Sequence, residues 1–508
     1  MRSKFMSAAA AAELVKDGDT VGLIGGGGGL VEASTLFAAL EQRFVDSGHP
    51  RDLTCVHALG IGDRKSRGMN CFAHEHMVKR VIGGHWVWSP RMQQLARENK
   101  IEAYVLPGGV VMQLLREIAA KRPGLLTHVG LGTFVDPRQS GGRMNEAARD
   151  ELVDLMQIDG RELLRYRPFP VNVALIRGSY ADPDGNISLE QEPANVDIYA
   201  MAAAARNSGG KVIAQVRTAV ASNTLPARAV RVPGAIVDAV VVDPAQSQSY
   251  DIVYDPTLSG ERFGPVPPEP DTPFSARHAI ARRAHAELRD GAVINYGFGI
   301  PDMVASIVAA RSDSHRYYQT IEHGTYGGTL LTGTLFGYAR NPSCMIDGPS
   351  QFDFYSGGGL DIAFLGFGEL DRHGNVNVSK LGGDTVGPGG FIDIAQNARK
   401  VVFCGTFDTK NSRCETGDGA LRVVRHGDVR KLVTDVAQIT FSGEQARSAG
   451  QQVYYVTERA VFELHAQGVA LIEVAPGVDL HADVLECMDF EPVIEQAPAI
   501  MSTEHFSA

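Results

Sequence analysis

Glu322 is the residue in this chain whose type and setting most suggest chemistry. It sits in "YYQTIEHGTYGG" (317–328), where a strand-like run with Tyr317, Tyr318 and Ile321 gives way to Gly324, Gly327 and Gly328. No Lys or Arg lies within five residues of it. A surface acid on a loop is the plain reading. The chemical one is a nucleophile, which must stay underpaired because a salt bridge would stabilise the ground state more than the transition state. A glutamate of ordinary pKa, about 4.3, is ionised at pH 7 without a general base. A second stretch complements it. In "GGDTVGPGGFIDIAQNA" (382–398), Gly387, Gly389 and Gly390 precede an apparent helix. Free backbone N–H groups at such a start suit an oxyanion or a carboxylate. A tight turn without chemical duty is the alternative.

Other candidates fall away on their spacing. "GLIGGGGGLVEAS" (22–34) lacks the Lys-Ser/Thr pair of a phosphate-binding P-loop, since Leu30 and Val31 follow the glycines. Its match to a dinucleotide fingerprint arises from a run of five glycines and carries little information. His74, Glu75 and His76 have a spacing that would point to different faces of a helix, and His85 beside Trp86 reads as a packed histidine. No metal is expected.

The elements that must position Glu322 occur twice. Residues 7–36 run helix, "DGDT", apolar strand and glycines, and residues 279–308 repeat that order. "GSYADPDGNISL" (178–189) matches "GFGELDRHGNVNV" (366–378), each a two-strand meander closed by an Asp/Gly/Asn turn. A helix and strand follow each of them. This is duplication of a large unit rather than a short repeat. Between the copies, "FGPVPPEPDTPF" (263–274) holds five prolines and reads as a linker. Apolar strands alternating with helices predict α/β halves with mainly parallel sheets, and the cleft between such halves is the default ligand site.

A chain of 508 residues needs more than one core. The formal net charge of −11 argues against nucleic acid as a partner, and no apolar run is long enough to span a membrane. Six scattered cysteines without C-x-x-C spacing read as reduced thiols. The alanine-rich start is broken by Glu13, Lys16 and Asp17, so it reads as a helix ending near Gly18 rather than a signal peptide. A cytoplasmic location is expected.

With these features together, the chain resembles the class I coenzyme A transferases, in particular the single-chain bacterial branch of propionate and acetate CoA-transferases. The strings "IGGHWVWSPRMQQLARENKIEAYVLPGGV" (82–110), "VGLGTFVDPRQSGGRMN" (129–145), "FDFYSGGGLDIAFLG" (352–366), "GNVNVSK" (374–380) and "KVVFCGTF" (400–407) carry the likeness along nearly the whole chain. It implies two tandem, duplicated α/β CoA-transferase domains, 1–263 and 274–508, with a linker at 264–273 and the glutamate in the second. It implies that Glu322, in an E-x-G-x-x-G-G turn, attacks an acyl-CoA thioester while an amide of Gly389 or Gly390 steadies the oxyanion. Gly297, Phe298, Gly299, Ile300 and Pro301 correspond to a CoA-contacting turn, and Lys410 to a CoA-binding lysine. His323 and Tyr326 are bulkier than the usual neighbours of that glutamate. Coenzyme A enters as substrate, with no prosthetic group or metal, and a homo-oligomer, commonly a tetramer, is implied. The competing readings are an acyl-CoA hydrolase using the same glutamyl intermediate, and a non-catalytic acyl-CoA or sugar-phosphate binder on the same scaffold.

Overall fold

A computed structural model describes residues 3–267 and 273–507. Residues 268–272 of the expected linker lie outside the described residues. The chain forms two compact units: unit 1 comprises 1–264, 321–353 and 382–393, and unit 2 comprises 265–320, 354–381 and 394–508. The break at Gly264/Pro265 falls within the proline-rich segment. Two excursions from the later half, 321–353 and 382–393, cluster with unit 1.

Unit 1 opens with the short helix α1 (Ala8–Ala12), capped by the Ser7 side chain on Ala10 N–H. The parallel strands of its sheet are β1 (Thr20–Leu23), β2 (Leu53–His57), β3 (Val78–Gly83), β4 (Glu102–Val105), β5 (Val173–Ala181), β6 (Lys211–Ala219) and β7 (Ala239–Val242). Their spatial order is β4-β3-β2-β1-β5-β6-β7, with every one of these pairings parallel. Such strands are covered on both faces, so β5 reads VALIRGSYA and is buried almost throughout. The helices α2 (Ser34–Ser47), α3 (Gly108–Ala119) and α4 (Ile198–Asn207) supply cover, with α3 packed along α4. Gly48 ends α2 in the left-handed conformation, φ 71°.

Unit 2 repeats this plan. After α5 (Ala276–His285) come β8 (Val293–Tyr296), α6 (Ile300–Ala310), β9 (Tyr318–Ile321) and β10 (Ile362–Gly366). Then follow α7 (Phe391–Asn397), β11 (Lys400–Cys404) and β12 (Gln452–Val456). The strands β9-β8-β10-β11-β12 are parallel neighbours, matching β2-β1-β5-β6-β7 in unit 1. Unit 2 then departs, adding antiparallel β13 (Ala460–His465) and β14 (Gly468–Val474) before a parallel pairing to β15 (Ala499–Ile500).

The repeated turns agree at the level of single hydrogen bonds. Asp182 Oδ1 accepts from Asn186 N–H at 3.0 Å and its Oδ2 from Asn186 Nδ2 at 2.9 Å. Asp371 does the same with Asn375 at 2.9 and 3.0 Å. Among the described residues no helix is long and apolar enough to cross a membrane.

Candidate active site

Glu322 directly follows β9, and its position is fixed by the hairpin that comes next. Thr325 and Tyr326 pair antiparallel with Met345 and Cys344, and Ile346 N–H donates to Gly324 O at 2.8 Å. Gly324 has φ 109°, and a Cβ there would lie 2.3 Å from the Ile346 carbonyl oxygen. Only glycine fits, so the sequence turns sharply just after the acid.

Three loops of unit 1 form the wall beside the glutamate. Gly389 N–H donates to Gly84 O at 2.8 Å, while Gly389 O accepts from Gly108 N–H at 2.7 Å. Trp86 N–H donates to Val386 O at 2.7 Å. These bonds tie the turn after β3, the start of α3 and the 386–390 loop into one frame. From that frame the Gly390 N–H is directed to the Glu322 carboxylate. A Cβ on Gly390 would stand 2.2 Å from Glu322 Oε2 and 2.9 Å from Phe352 Cζ, so any side chain there would displace the acid.

The structure therefore separates two adjacent glycines that the sequence treats alike. The Gly389 amide is already committed to Gly84, and Gly390 supplies the N–H that faces Glu322.

The ionisation of Glu322 also differs from the sequence expectation of an ordinary carboxyl. The residue is half-buried. Burial is the main influence and pushes its carboxyl up to about 7, opposed by the Gly390 hydrogen bond. Among the described residues no Lys or Arg forms an ion pair with it. The residue is thus a desolvated, uncompensated carboxyl poised near neutrality.

Four neighbours were not singled out from the sequence as members of the site. Phe352 packs at Gly390. Asp393, in the first turn of α7, is fully buried and accepts from Gly109 N–H at 3.1 Å. Gly108 braces Gly389. His85, expected only to pack against Trp86, lies within 3.9 Å of where a Gly389 Cβ would be. Burial drives its pKa down to about 4, so it is neutral, and its Nδ1 has no partner among the described residues. The paired glycines of "YVLPGGV" were the available signal for this region.

The two bulky neighbours of the glutamate have separate structural engagements. His323 is buried and its Nε2 lies 2.6 Å from Gly337 O, and Tyr326 is held in the hairpin by its antiparallel pairing with Cys344.

The expected CoA contacts lie in unit 2. Residues 297–301 form the turn from the carboxyl end of β8 into α6, the position where parallel α/β sheets bind ligands. Gly297 N–H donates to Phe364 O at 2.7 Å, Gly299 N–H donates to Asp302 Oδ2 at 3.0 Å, and Phe298 is 47% exposed. Ile300 and Pro301 begin the helix. Lys410 is exposed on a turn with φ 57°, and its carbonyl accepts from Asp428 N–H at 2.8 Å. The histidines of "HEH" are engaged elsewhere, His74 Nε2 lying 2.9 Å from Glu41 Oε1.

Relatives give this architecture its class. A family model described as Coenzyme A transferase matches residues 5–243. The chain is 42% identical over 506 residues to the acetate CoA-transferase YdiF of Escherichia coli (strain K12), covering 99% of this chain and 95% of that protein. It is 43% identical over 516 residues to the caffeate CoA-transferase of Acetobacterium woodii, covering 99% and 98%. A crystal structure of YdiF from E. coli O157:H7, an acyl-CoA transferase in a thioester complex with CoA, superposes with a TM-score of 0.94 at 41% identity. That match covers 99% of this chain and 96% of the other.

The chain belongs to the coenzyme A transferase family. It is a CoA-transferase, an enzyme that moves CoA reversibly between acyl-CoA thioesters and free carboxylic acids.

Proposed function

We propose that this enzyme transfers CoA among short-chain acids of the acetate and propionate type through a covalent thioester on Glu322. The observation that carries the reading is the half-buried carboxyl of Glu322, set against the Gly390 N–H and lacking an ion pair among the described residues. The Glu322 carboxylate attacks the thioester carbon, forming a mixed anhydride and expelling CoA as thiolate. The thiolate then attacks the glutamyl carbonyl of the anhydride, giving glutamyl-CoA and releasing the first acid. A second acid reverses the sequence and leaves as its CoA ester. No bond energy is lost to hydrolysis, so neither ATP nor a prosthetic group is required. The Gly390 amide is placed to donate to the oxyanion in each addition, and preorganised donors of this kind account for much of the rate enhancement in acyl transfer.

Residues 297–301 and Lys410 are proposed as CoA contacts, Lys410 through a phosphate. Replacing Lys410 should raise the KM for CoA esters more than it lowers kcat. The two tandem halves are read as 1–263 and 274–508, joined by 264–273. A cytoplasmic homo-oligomer, a tetramer as in the resembled branch, completes the proposal.

Steady-state kinetics test the reaction order. Varying acyl-CoA at fixed acceptor levels should give parallel double-reciprocal lines. Intersecting lines would contradict a glutamyl-CoA intermediate. An acceptor panel spanning acetate, propionate, butyrate and an aromatic acid assigns the substrate class. Turnover that needs no acceptor would identify a hydrolase instead.

A further inference from the structure

Asp393 is a buried acid beside the nucleophile for which the proposed reaction has no task. It is 0% exposed, and its Oδ2 accepts from Gly109 N–H in the first turn of α3, with Val110 N–H also directed to it. The Phe352 ring connects it to Glu322. A Cβ on Gly109 would meet Phe352 Cδ1 at 2.2 Å and Asp393 Oδ1 at 2.5 Å. A Cβ on Gly390 would meet Phe352 Cζ at 2.9 Å and Glu322 Oε2 at 2.2 Å. Two carboxyls therefore stand against one aromatic ring, with glycines where any side chain would push them apart.

The charged surroundings do not separate the pair electrically. His85, beside Gly389, is neutral above about pH 4. The Tyr166 phenol donates to Val129 O at 2.8 Å and is held well above its ordinary pKa, by burial first and then by the charge of Asp393. On α3, Arg116 is paired with Asp353 at 2.5 Å, and Gln113 also donates to Asp353. Burial raises the Asp393 carboxyl to about 8. The Gly109 hydrogen bond opposes that rise, and the charge of Glu322 adds to it. Buried carboxyls that feel each other lose their protons in two steps that belong to the pair.

Resting on Glu322 as the nucleophile, we propose that Asp393 is the positioning residue that keeps one proton in this pair, so that Glu322 alone carries the negative charge in the resting enzyme. Its link to Gly109 braces the start of α3, and Gly108 in turn holds the Gly389–Gly390 loop. When Asp393 ionises as well, the site holds a dianion, which opposes the oxyanion that forms as Glu322 attacks. Loading of the enzyme by acyl-CoA should then rise with the first ionisation and fall with the second.

Asp393→Asn keeps an oxygen for Gly109 N–H and cannot ionise. Asp393→Ser likewise cannot ionise, although its shorter hydroxyl falls short of Gly109 N–H, and it serves in case the asparagine variant does not fold. The measurement is the single-turnover loading rate with acetyl-CoA alone, followed as acetate released, across the pH range. In the parent the rate should climb through pH of about 7 and decline above about 8. The variants should keep the acid limb and lose the alkaline one, exceeding the parent's retained fraction about tenfold one unit beyond the second ionisation. A purely structural role for Asp393 would lower the rate equally at all pH values and overturn the inference. The same bell in parent and variants also overturns it and leaves the nucleophile standing. A parent that never loads overturns the Glu322 reading itself.

Discussion

Glu322 meets two opposed demands, since a good nucleophile should be stripped of water while burial favours its neutral, unreactive form. The Gly390 N–H moderates the conflict without abolishing it, leaving the carboxyl near 7. Only the ionised acid attacks, so the loading rate should increase several-fold from about pH 6 to about pH 7.5, measured in single turnovers. A flat profile over that interval would mean that Glu322 is ionised throughout. The two glycines should also part company on substitution. Gly390→Ala puts a methyl on the carboxylate oxygens and should cost ~10²–10³ in loading rate. Gly389→Ala, with φ 58° and no atom of Glu322 nearer than 3.9 Å, should chiefly cost about 1 kcal/mol of stability, seen in a denaturant titration. The sequence made Glu322 and the G-P-G-G loop legible because an unpaired acid and clustered glycines are written locally. It could not rank Gly389 against Gly390, because that choice depends on a hydrogen bond to Gly84, a residue far away in the chain.

At the scale of elements, the two Asp/Asn turns are the sharpest sign of duplication. Asp182 and Asp371 are 3% and 2% exposed, and each satisfies both a backbone and a side-chain donor of the asparagine four residues on. Asp182→Ala and Asp371→Ala should each destabilise the protein by ~1–3 kcal/mol through unpaired buried donors, with the larger value at Asp371, whose carboxylate also accepts from His373 and Val436 N–H. Equilibrium unfolding of both variants checks this, and a near-zero effect in one half would show that its turn is held by other contacts. These turns were readable in advance because Asp, Gly and Asn are short-range turn formers. The antiparallel β12–β13–β14 extension of unit 2 was not foreseen, since short apolar strands do not declare their direction. Phe352 and Asp393 also escaped notice. An aromatic and an acid in ordinary helical stretches look structural until the tertiary fold sets them beside Glu322.

For the molecule as a whole, chain order and spatial order diverge. The catalytic candidates Glu322, Gly389 and Gly390 belong to the later half of the sequence but to the compact unit dominated by the earlier one. No local pattern announces such an excursion. Buried acids also shape global stability. Asp197, 4% exposed at the start of α4, has an Oδ2 without a partner among the described residues, and burial raises its carboxyl to about 7. A carboxyl raised in the folded state favours folding while protonated in both states, below its unfolded pKa of about 3.9. That contribution is lost as pH climbs to the folded value. Asp197→Asn should therefore stabilise little near about pH 4 and most above about pH 7, by on the order of 1–3 kcal/mol, read as a pH-dependent gain in Tm. A gain independent of pH would place the effect outside ionisation.

Covalent catalysis through Glu322 is tested by the mass of the protein after mixing with acyl-CoA in the absence of an acceptor acid. One CoA-sized adduct per active site is expected, with free acid released in equal amount. The bond should be reducible by borohydride and should map to the peptide carrying Glu322. Glu322→Gln should fold and bind CoA without gaining the adduct. An adduct on another residue, or full transfer activity in Glu322→Gln, would contradict the glutamyl-CoA mechanism.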